Sequence, residues 1–390
     1  MLRRSFLAAV AASALLAGAA QAQETVKVGL IIPLTGPFTT TGKQLEAAAR
    51  LYMQQHGNTV AGKKIELVVR DDAGRAENTA RIATELVTND KVSFLTGFGL
   101  TPLAMATAPI ATNAKVPMIV MMAGTSIITE RSPYIVRTSF TLGQSSEAIA
   151  NWAIKNNIKS VVTMVTDYAP GHDAENSFTG RFAQQGGKVI EKLRVPIQNP
   201  DFAPFLQRVR DAKPDALFVF TPSGVGSILM KQFIERGLDK SGIRLIGTGD
   251  ITDDDILNGF GEAALGVITA HNYATAHDSP KNKDYVAAFR KANPGMRPNF
   301  ASVGAYDGMH LIYEALKKTQ GKTDGDALIA AMKGAKWESP RGPMSIDPET
   351  RDVIQTIYIR KVEKKDGELH NIEFESFPDV KDPVKAAKKQ

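Results

Sequence analysis

The sequence predicts an α/β fold of two doubly wound lobes, each wrapped around a parallel sheet. Three observations carry that expectation. Short apolar runs alternate with amphipathic helical segments, the pattern of βαβ units. The alternation comes as two series, over residues 26–123 and 160–247. The composition, 43% hydrophobic and 23% charged over 390 residues, is that of a globular chain with apolar surface enough for more than one core.

The first series opens with a buried strand at 26–33. A helix follows at 42–56, with Leu45, Ala48, Ala49 and Tyr52 on one side. Next come a strand at 64–71, a helix at 77–88 with Ile82 and Leu86 inward, a strand at 92–97, a helix at 104–113 and a strand at 116–123. The second series runs strand 160–167, helix 174–185, strand 188–195, helix 202–212, strand 216–221, helix 224–236 and strand 244–247. Asp201 stands where an N-cap belongs, and Lys213-Pro214-Asp215 stops that helix. The last third reads as helices at 281–291, 302–318 and 324–332. Strands at 354–364 and 369–374 flank the turn Asp366-Gly367. Crossovers near Ser139, Tyr273 and Ser345 leave neither lobe continuous: 23–140 with 274–345 forms one, and 141–273 with 346–390 the other.

The N-terminus reads as an address. Arg3 and Arg4 precede an apolar run at 6–18, and Ala20-Gln21-Ala22 is a small-x-small cleavage site. Residues 1–22 are therefore expected to be a signal peptide cut after Ala22. Arg3-Arg4-Ser5-Phe6-Leu7 partly matches the twin-arginine pattern, so the export route stays open. No later run is long enough to span a membrane. The mature chain is expected in a periplasm.

The formal charge is +6, with Lys381, Lys385, Lys388 and Lys389 read as a solvated end. No basic and aromatic residues interleave as a nucleic-acid face requires. The absence of cysteine excludes disulfides, thiolate metal sites and a cysteine nucleophile. Gly-x-Ser-x-Gly, the phosphate loop and His-Glu-x-x-His are all missing. Gly247-Thr248-Gly249-Asp250 lacks the third glycine of a dinucleotide fingerprint. His172 with Glu175 is too sparse for a metal, and Asp253-Asp254-Asp255 reads as a helix cap. No enzyme activity, cofactor or metal is expected.

Ligands of open α/β sheets bind beyond the carboxyl ends of strands. The loops to inspect are 34–42, 97–102, 123–126, 167–172, 221–224 and 247–255. They hold Thr35-Gly36-Pro37-Phe38, Gly97-Phe98-Gly99-Leu100-Thr101, Ala123-Gly124-Thr125-Ser126, Tyr168 with Gly171 and His172, and Thr221. Hydroxyls and free amides at helix starts suit a small carboxylate. Taken singly, each loop is equally explained as caps and turns.

Val26-Lys27-Val28-Gly29-Leu30, Leu34-Thr35-Gly36, Pro117-Met118-Ile119, and Asp201-Phe202 through Lys213-Pro214-Asp215-Ala216 resemble the type I periplasmic solute-binding proteins of ABC transporters. Within that family the chain is similar to the leucine/isoleucine/valine-binding branch. The resemblance implies lobes joined by three hinge strands, a ligand trapped between them, and a monomer whose closed form docks on an ABC permease. It implies that Leu100, Thr101, Gly124 and Thr125 take the ligand carboxylate, that Tyr168 covers it, and that Asp250 pairs with an ammonium. Phe38, Phe98 and Tyr273 are candidates for the apolar wall, with Thr221 beside it. Loop two departs from the amino-acid pattern. Phe98, Gly99 and Leu100 stand before Thr101 where a serine-rich run is usual. This is similar to members that bind benzoate or hydroxybenzoate, in which case Asp250 would accept from a phenol. A branched-chain amino acid remains the alternative, with a periplasmic sensor or an exported hydrolase as readings from other classes.

Overall fold

The structure is a computed structural model that describes residues 23–388; the expected signal peptide lies outside the described residues. The first lobe carries strands β1 (Thr25–Ile32), β2 (Thr59–Val60), β3 (Lys63–Asp71), β4 (Phe94–Gly97), β5 (Met118–Val120) and β6 (Ile135–Arg137). Helices α1 (Thr39–His56), α2 (Ala76–Glu85) and α3 (Thr101–Ala114) connect them. The sheet order is β2-β3-β1-β4-β5-β6, parallel except for β2. β1 is buried along most of its length, as a strand with helices on both faces must be. The chain winds one way from β1 to β3 and the other way through β4. The switch point therefore lies at the carboxyl ends of β1 and β4.

The second lobe repeats this logic after α4 (Leu142–Lys155). Strands β7 (Ser160–Thr166), β8 (Lys188–Val195), β9 (Ala216–Phe220), β10 (Arg244–Thr248) and β11 (Ile268–His271) alternate with α5 (Ala169–Gln184), α6 (Ala203–Ala212) and α7 (Gly226–Glu235). β7 lies between β8 and β9, so a second switch point faces the first. Helix α5 starts at Ala169, five residues before the expected start, because Pro170 sits in its first turn, where a missing N–H costs nothing.

Helices α8 (Pro280–Ala292), α9 (Phe300–Lys318) and α10 (Gly325–Met332) return to the first lobe, α9 lying against α1. β12 (Lys336–Ser339), β13 (Gly342–Ile346), β14 (Val353–Lys365) and β15 (Glu368–Val380) then extend the second sheet with antiparallel pairing. This corrects the division made from sequence, which carried 274–345 into the first lobe. β12 and β13 hydrogen-bond into the second sheet, so the third crossing falls before residue 336.

The Arg341 guanidinium ties the first and third crossings together. It donates to the Ser139 carbonyl at 2.8 Å and to the Thr138 carbonyl, and pairs with Asp307 at 2.9 Å. Asp307 also accepts from Trp337 Nε1 and Ser339 Oγ, each at 2.8 Å. The group is buried, and its hydrogen bonds offset the desolvation of two charges. The Lys-rich end is not simply solvated. Helix α11 (Pro383–Ala387) docks against α4, and Lys385 is buried against Asp352 and Thr129.

Candidate ligand site between the lobes

A narrow cavity, about 30 Å³ by the space open to a water-sized sphere, lies where the two switch points face each other. Larger hollows occur elsewhere, one of about 440 Å³ by the same measure beside Gly36 and Gln198, but that one opens at the rim of the cleft.

The first lobe contributes Gly99, Leu100, Thr101, Met122, Ala123 and Gly124. Thr101 begins α3, and no side chain caps that helix at Leu100. Among the described residues, the backbone N–H groups of Gly99, Leu100, Thr101, Gly124 and Thr125 find no protein acceptor. Thr101 Oγ1 and Thr125 Oγ1 lie 2.7 Å apart. Five unused amides, two hydroxyls and a helix N-terminus make a positive, hydrogen-bond-donating end.

Arg137, fully buried, fixes this end from behind. Its Nη1 donates to Ala123 O at 2.6 Å and Phe140 O at 3.1 Å, and its Nη2 to Thr125 O at 2.7 Å. The Gly124 carbonyl accepts from Leu142 N at 2.9 Å. With the carbonyls of 123, 124 and 125 held on one side, the amides of Gly124 and Thr125 remain unused. Gly124 must be glycine because the Phe140 ring would lie 2.8 Å from an added Cβ.

The opposite wall comes from the second lobe: Tyr168 and Pro170 after β7, Phe220 and Pro222 at β9, and Asp250 after β10. The rings of Tyr168 and Phe220 are nearly parallel, 6.2 Å apart. Phe140 and Leu142, at the first crossing, close the side. Asp250 is 3% exposed and accepts from Thr248 Oγ1 at 2.8 Å. Burial pushes its carboxyl up to about 6, against the pull of the Thr248 hydroxyl and the Arg360 guanidinium. Burial and the nearby Asp250 raise the Tyr168 phenol well above its ordinary value, so it stays neutral.

Of the residues expected from sequence, Leu100, Thr101, Gly124, Tyr168 and Asp250 line this one cavity, with Thr125 bonded to Thr101. Thr221 stands behind the wall, its hydroxyl accepting from Thr166 Oγ1 at 3.1 Å. Three expectations for the apolar wall are corrected. Phe98 adopts φ +67 after Gly97 at φ +106, and this turn sends its ring into the first lobe's own core. Tyr273 is wholly buried at the second crossing, its hydroxyl donating to Asn282 Oδ1 at 2.9 Å. Phe38 lies outside the cavity, in the second lobe's apolar cluster. The aromatic wall is instead Phe140 and Phe220. Phe220 was legible as the last apolar residue of its strand; Phe140 lay in a crossover with no periodicity to flag it.

His172 and Glu175 are occupied separately, by Asp167 at 2.7 Å and Arg194 at 2.8 Å. The acidic run 253–255 is more than a helix cap. Asp253 accepts from Asn299 Nδ2 at 3.0 Å and Asp255 from Gln44 Nε2 at 2.9 Å, so both bridge to the first lobe.

The chain is 46% identical to a Leu/Ile/Val-binding protein homolog of Brucella melitensis, over 98% of this chain and 99% of that one. A solute-binding protein of an ABC transporter from Rhodopseudomonas palustris BisB5, solved in complex with 3,4-dihydroxybenzoic acid, is 65% identical with a TM-score of 0.91. That likeness covers 93% of this chain and 99% of the other. A counterpart from strain HaA2, in complex with p-hydroxybenzoic acid, is 43% identical with a TM-score of 0.91, covering 93% and 100%. The family model for periplasmic binding proteins matches residues 25–368, nearly the whole described chain. With two lobes meeting over a small polar-ended cavity, the chain belongs to the periplasmic binding protein family.

Proposed function

We propose that this chain is the periplasmic, ligand-capturing component of an ABC importer, and that its ligand is a hydroxylated aromatic carboxylate. The observation that carries the reading is the cavity's two unlike ends. Unused amides of Gly99, Leu100, Thr101, Gly124 and Thr125 form one end, and the buried Asp250 stands among apolar rings at the other. A benzoate ring matches this pattern, with its carboxylate on the amides, its faces on Phe140, Phe220 and Tyr168, and a phenol hydroxyl donating to Asp250. The aromatic acids in the solved relatives support the same class. The Tyr168 hydroxyl, which makes no hydrogen bond within the described protein, is a second polar partner. The chain binds without turning its ligand over, acts as a monomer, and hands its cargo to the permease after export and cleavage behind Ala22.

A branched-chain amino acid is the second reading, favoured by Asp250 as an ammonium partner and by the name of the Brucella relative. A thermal-shift screen of protein stripped by unfolding and refolding separates the two. The panel is benzoate, 4-hydroxybenzoate, 3,4-dihydroxybenzoate, leucine, isoleucine, valine and phenylalanine. A ligand at ~100 times its dissociation constant adds about 2.7 kcal/mol, a shift of several degrees. Shifts with the hydroxybenzoates and none with the amino acids are expected; the reverse sinks the aromatic reading.

A further inference from the structure

Phe38 belongs to the first lobe by chain and by anchorage. Its loop is pinned to that lobe by Asp71, which accepts from Leu34 N at 2.8 Å and Thr35 Oγ1 at 2.7 Å. Thr39 Oγ1 donates to Gly36 O at 2.7 Å, and Gly42 N to Phe38 O at 3.2 Å, fixing the start of α1. Yet the Phe38 ring, 8% exposed, lies in an apolar cluster whose other buried members, Val225, Ile251 and Leu229 among them, all come from the second lobe. Only Leu100 joins it from the first lobe, at the cluster's edge. The seat is shaped for it. A Cβ on Gly224 would lie 2.7 Å from the Pro37 carbonyl oxygen and 3.1 Å from the Phe38 ring. Gly224 has an ordinary backbone conformation, so glycine is required there by the neighbouring lobe and not by its own φ. Nearly two turns along α1, Gln44 donates to Asp255 across the same seam.

We propose that Phe38 and its Gly224 seat form a ligand-independent latch. The latch sets how much of the protein is closed, and hence the affinity for every ligand, while taking no part in ligand choice. The ring does not line the cavity, so it has no contact through which to discriminate. One edge of the ring lies beside Gly74 of its own lobe, but its apolar cluster is built from the second lobe, so most of its burial is gained on closure. Apparent affinity scales with the fraction of molecules in the competent, closed form. Losing the ring therefore weakens all ligands by one common factor. The latch works whatever solute the cavity takes.

The chain has no cysteine, so Glu77→Cys on the first lobe and Lys240→Cys on the second, both exposed, give a specific dye pair. Energy transfer in ligand-free protein then reads the closed fraction. A closed population without ligand is expected, and Phe38→Ala should reduce it about tenfold or more, the burial of one large apolar side chain. Gly224→Ala should reduce it too, by crowding the seat while Phe38 itself is unchanged, and Phe38→Leu should fall between. Titrations with 4-hydroxybenzoate and 3,4-dihydroxybenzoate should show both dissociation constants rising by the same factor. A ligand-free protein with no closed population overturns the latch, as does a closed fraction that neither variant changes. A shifted ratio between the two acids overturns it as well, because Phe38 would then touch ligand. If the aromatic reading itself fails, the unmodified protein gives no titration signal while the dye measurement still decides.

Discussion

The two walls of the cavity are built from different parts of the chain. The first lobe offers main chain: five amides with no acceptor among the described residues and two paired threonine hydroxyls, set by Arg137 behind them. The second lobe offers side chains: Tyr168, Phe220 and Asp250, with Pro170 and Pro222 around them. A main-chain wall recognises a charge class, because nearly any residue carries an amide. A side-chain wall selects within the class, because one substitution rewrites it. On this reading the first lobe asks whether the solute is a carboxylate, and the second asks which one.

The harshest way to break that contrast is Arg137→Ala. It frees the carbonyls of Ala123, Thr125 and Phe140 and removes the 2.8 Å arginine partner of the buried Asp352, leaving Lys385 as its cation. The lost hydrogen bonds of a buried guanidinium lower stability, although Lys385 still compensates Asp352, so calorimetry should record a melting point lowered by a few degrees. Binding of every carboxylate should disappear together. A variant that still binds benzoate would show that the amide wall holds its shape without the guanidinium.

Asp250→Ala tests the other wall. Hydrogen bonds to charged groups contribute about 1.5–3 kcal/mol, so hydroxybenzoates should weaken by roughly 10- to 100-fold. Benzoate, which has no hydroxyl to donate, should hold or improve as a buried carboxyl is removed. Equal losses for benzoate and 4-hydroxybenzoate in titration calorimetry would place Asp250 in the architecture and not in selection.

The same contrast explains what the sequence could and could not reveal. Strands and most helices were legible because burial imposes period on side chains: β1, β7 and β9 are apolar runs, and α1 carries its stripe. Loops 97–102 and 123–126 could be picked out as carboxylate candidates only because several such glycine- and threonine-bearing loops gather at one face; singly, each reads equally well as a cap or turn. The wall was not, because the direction of an aromatic ring depends on backbone turns that leave little trace. Phe98 looked like wall, but the left-handed turn at Gly97 and Phe98 points it inward. Phe38 looked like wall, and crosses to the other lobe. Arg137 is a lone arginine at the end of a three-residue strand, with no motif to announce that it holds three carbonyls.

A milder probe of the amide wall is Thr101→Val, which keeps shape and removes one hydroxyl. It also strips Thr125 of its 2.7 Å partner. A loss near 1 kcal/mol, about fivefold in affinity, is expected for benzoate and hydroxybenzoates alike. A loss confined to one of them would mean that first-lobe side chains also select.

A final expectation is a pH dependence carried by neither wall. Asp253, a few residues beyond Asp250, is buried where the lobes meet, and accepts from Asn299 of the first lobe. Burial, and then the carboxylates of Asp255 and Asp254, push it up to about 8; Arg297 and Asn371 are engaged with Asp254 instead. Opening the lobes gives the carboxyl back to water, where its ordinary value is near 3.9. The closed form therefore binds a proton more tightly than the open form. Closure is favoured below the open-form value and loses that contribution as pH rises toward about 8. Affinity should fall steeply, by up to about two orders of magnitude, between about pH 5.5 and about pH 8.5, a range in which a benzoate ligand is already ionised and contributes no titration of its own. Asp253→Asn, which keeps a hydrogen-bonding group of the same shape, should flatten the profile while leaving the ratio between benzoate and 4-hydroxybenzoate unchanged. A profile that stays steep in this variant would assign the proton to Asp250, and so to the selecting wall itself.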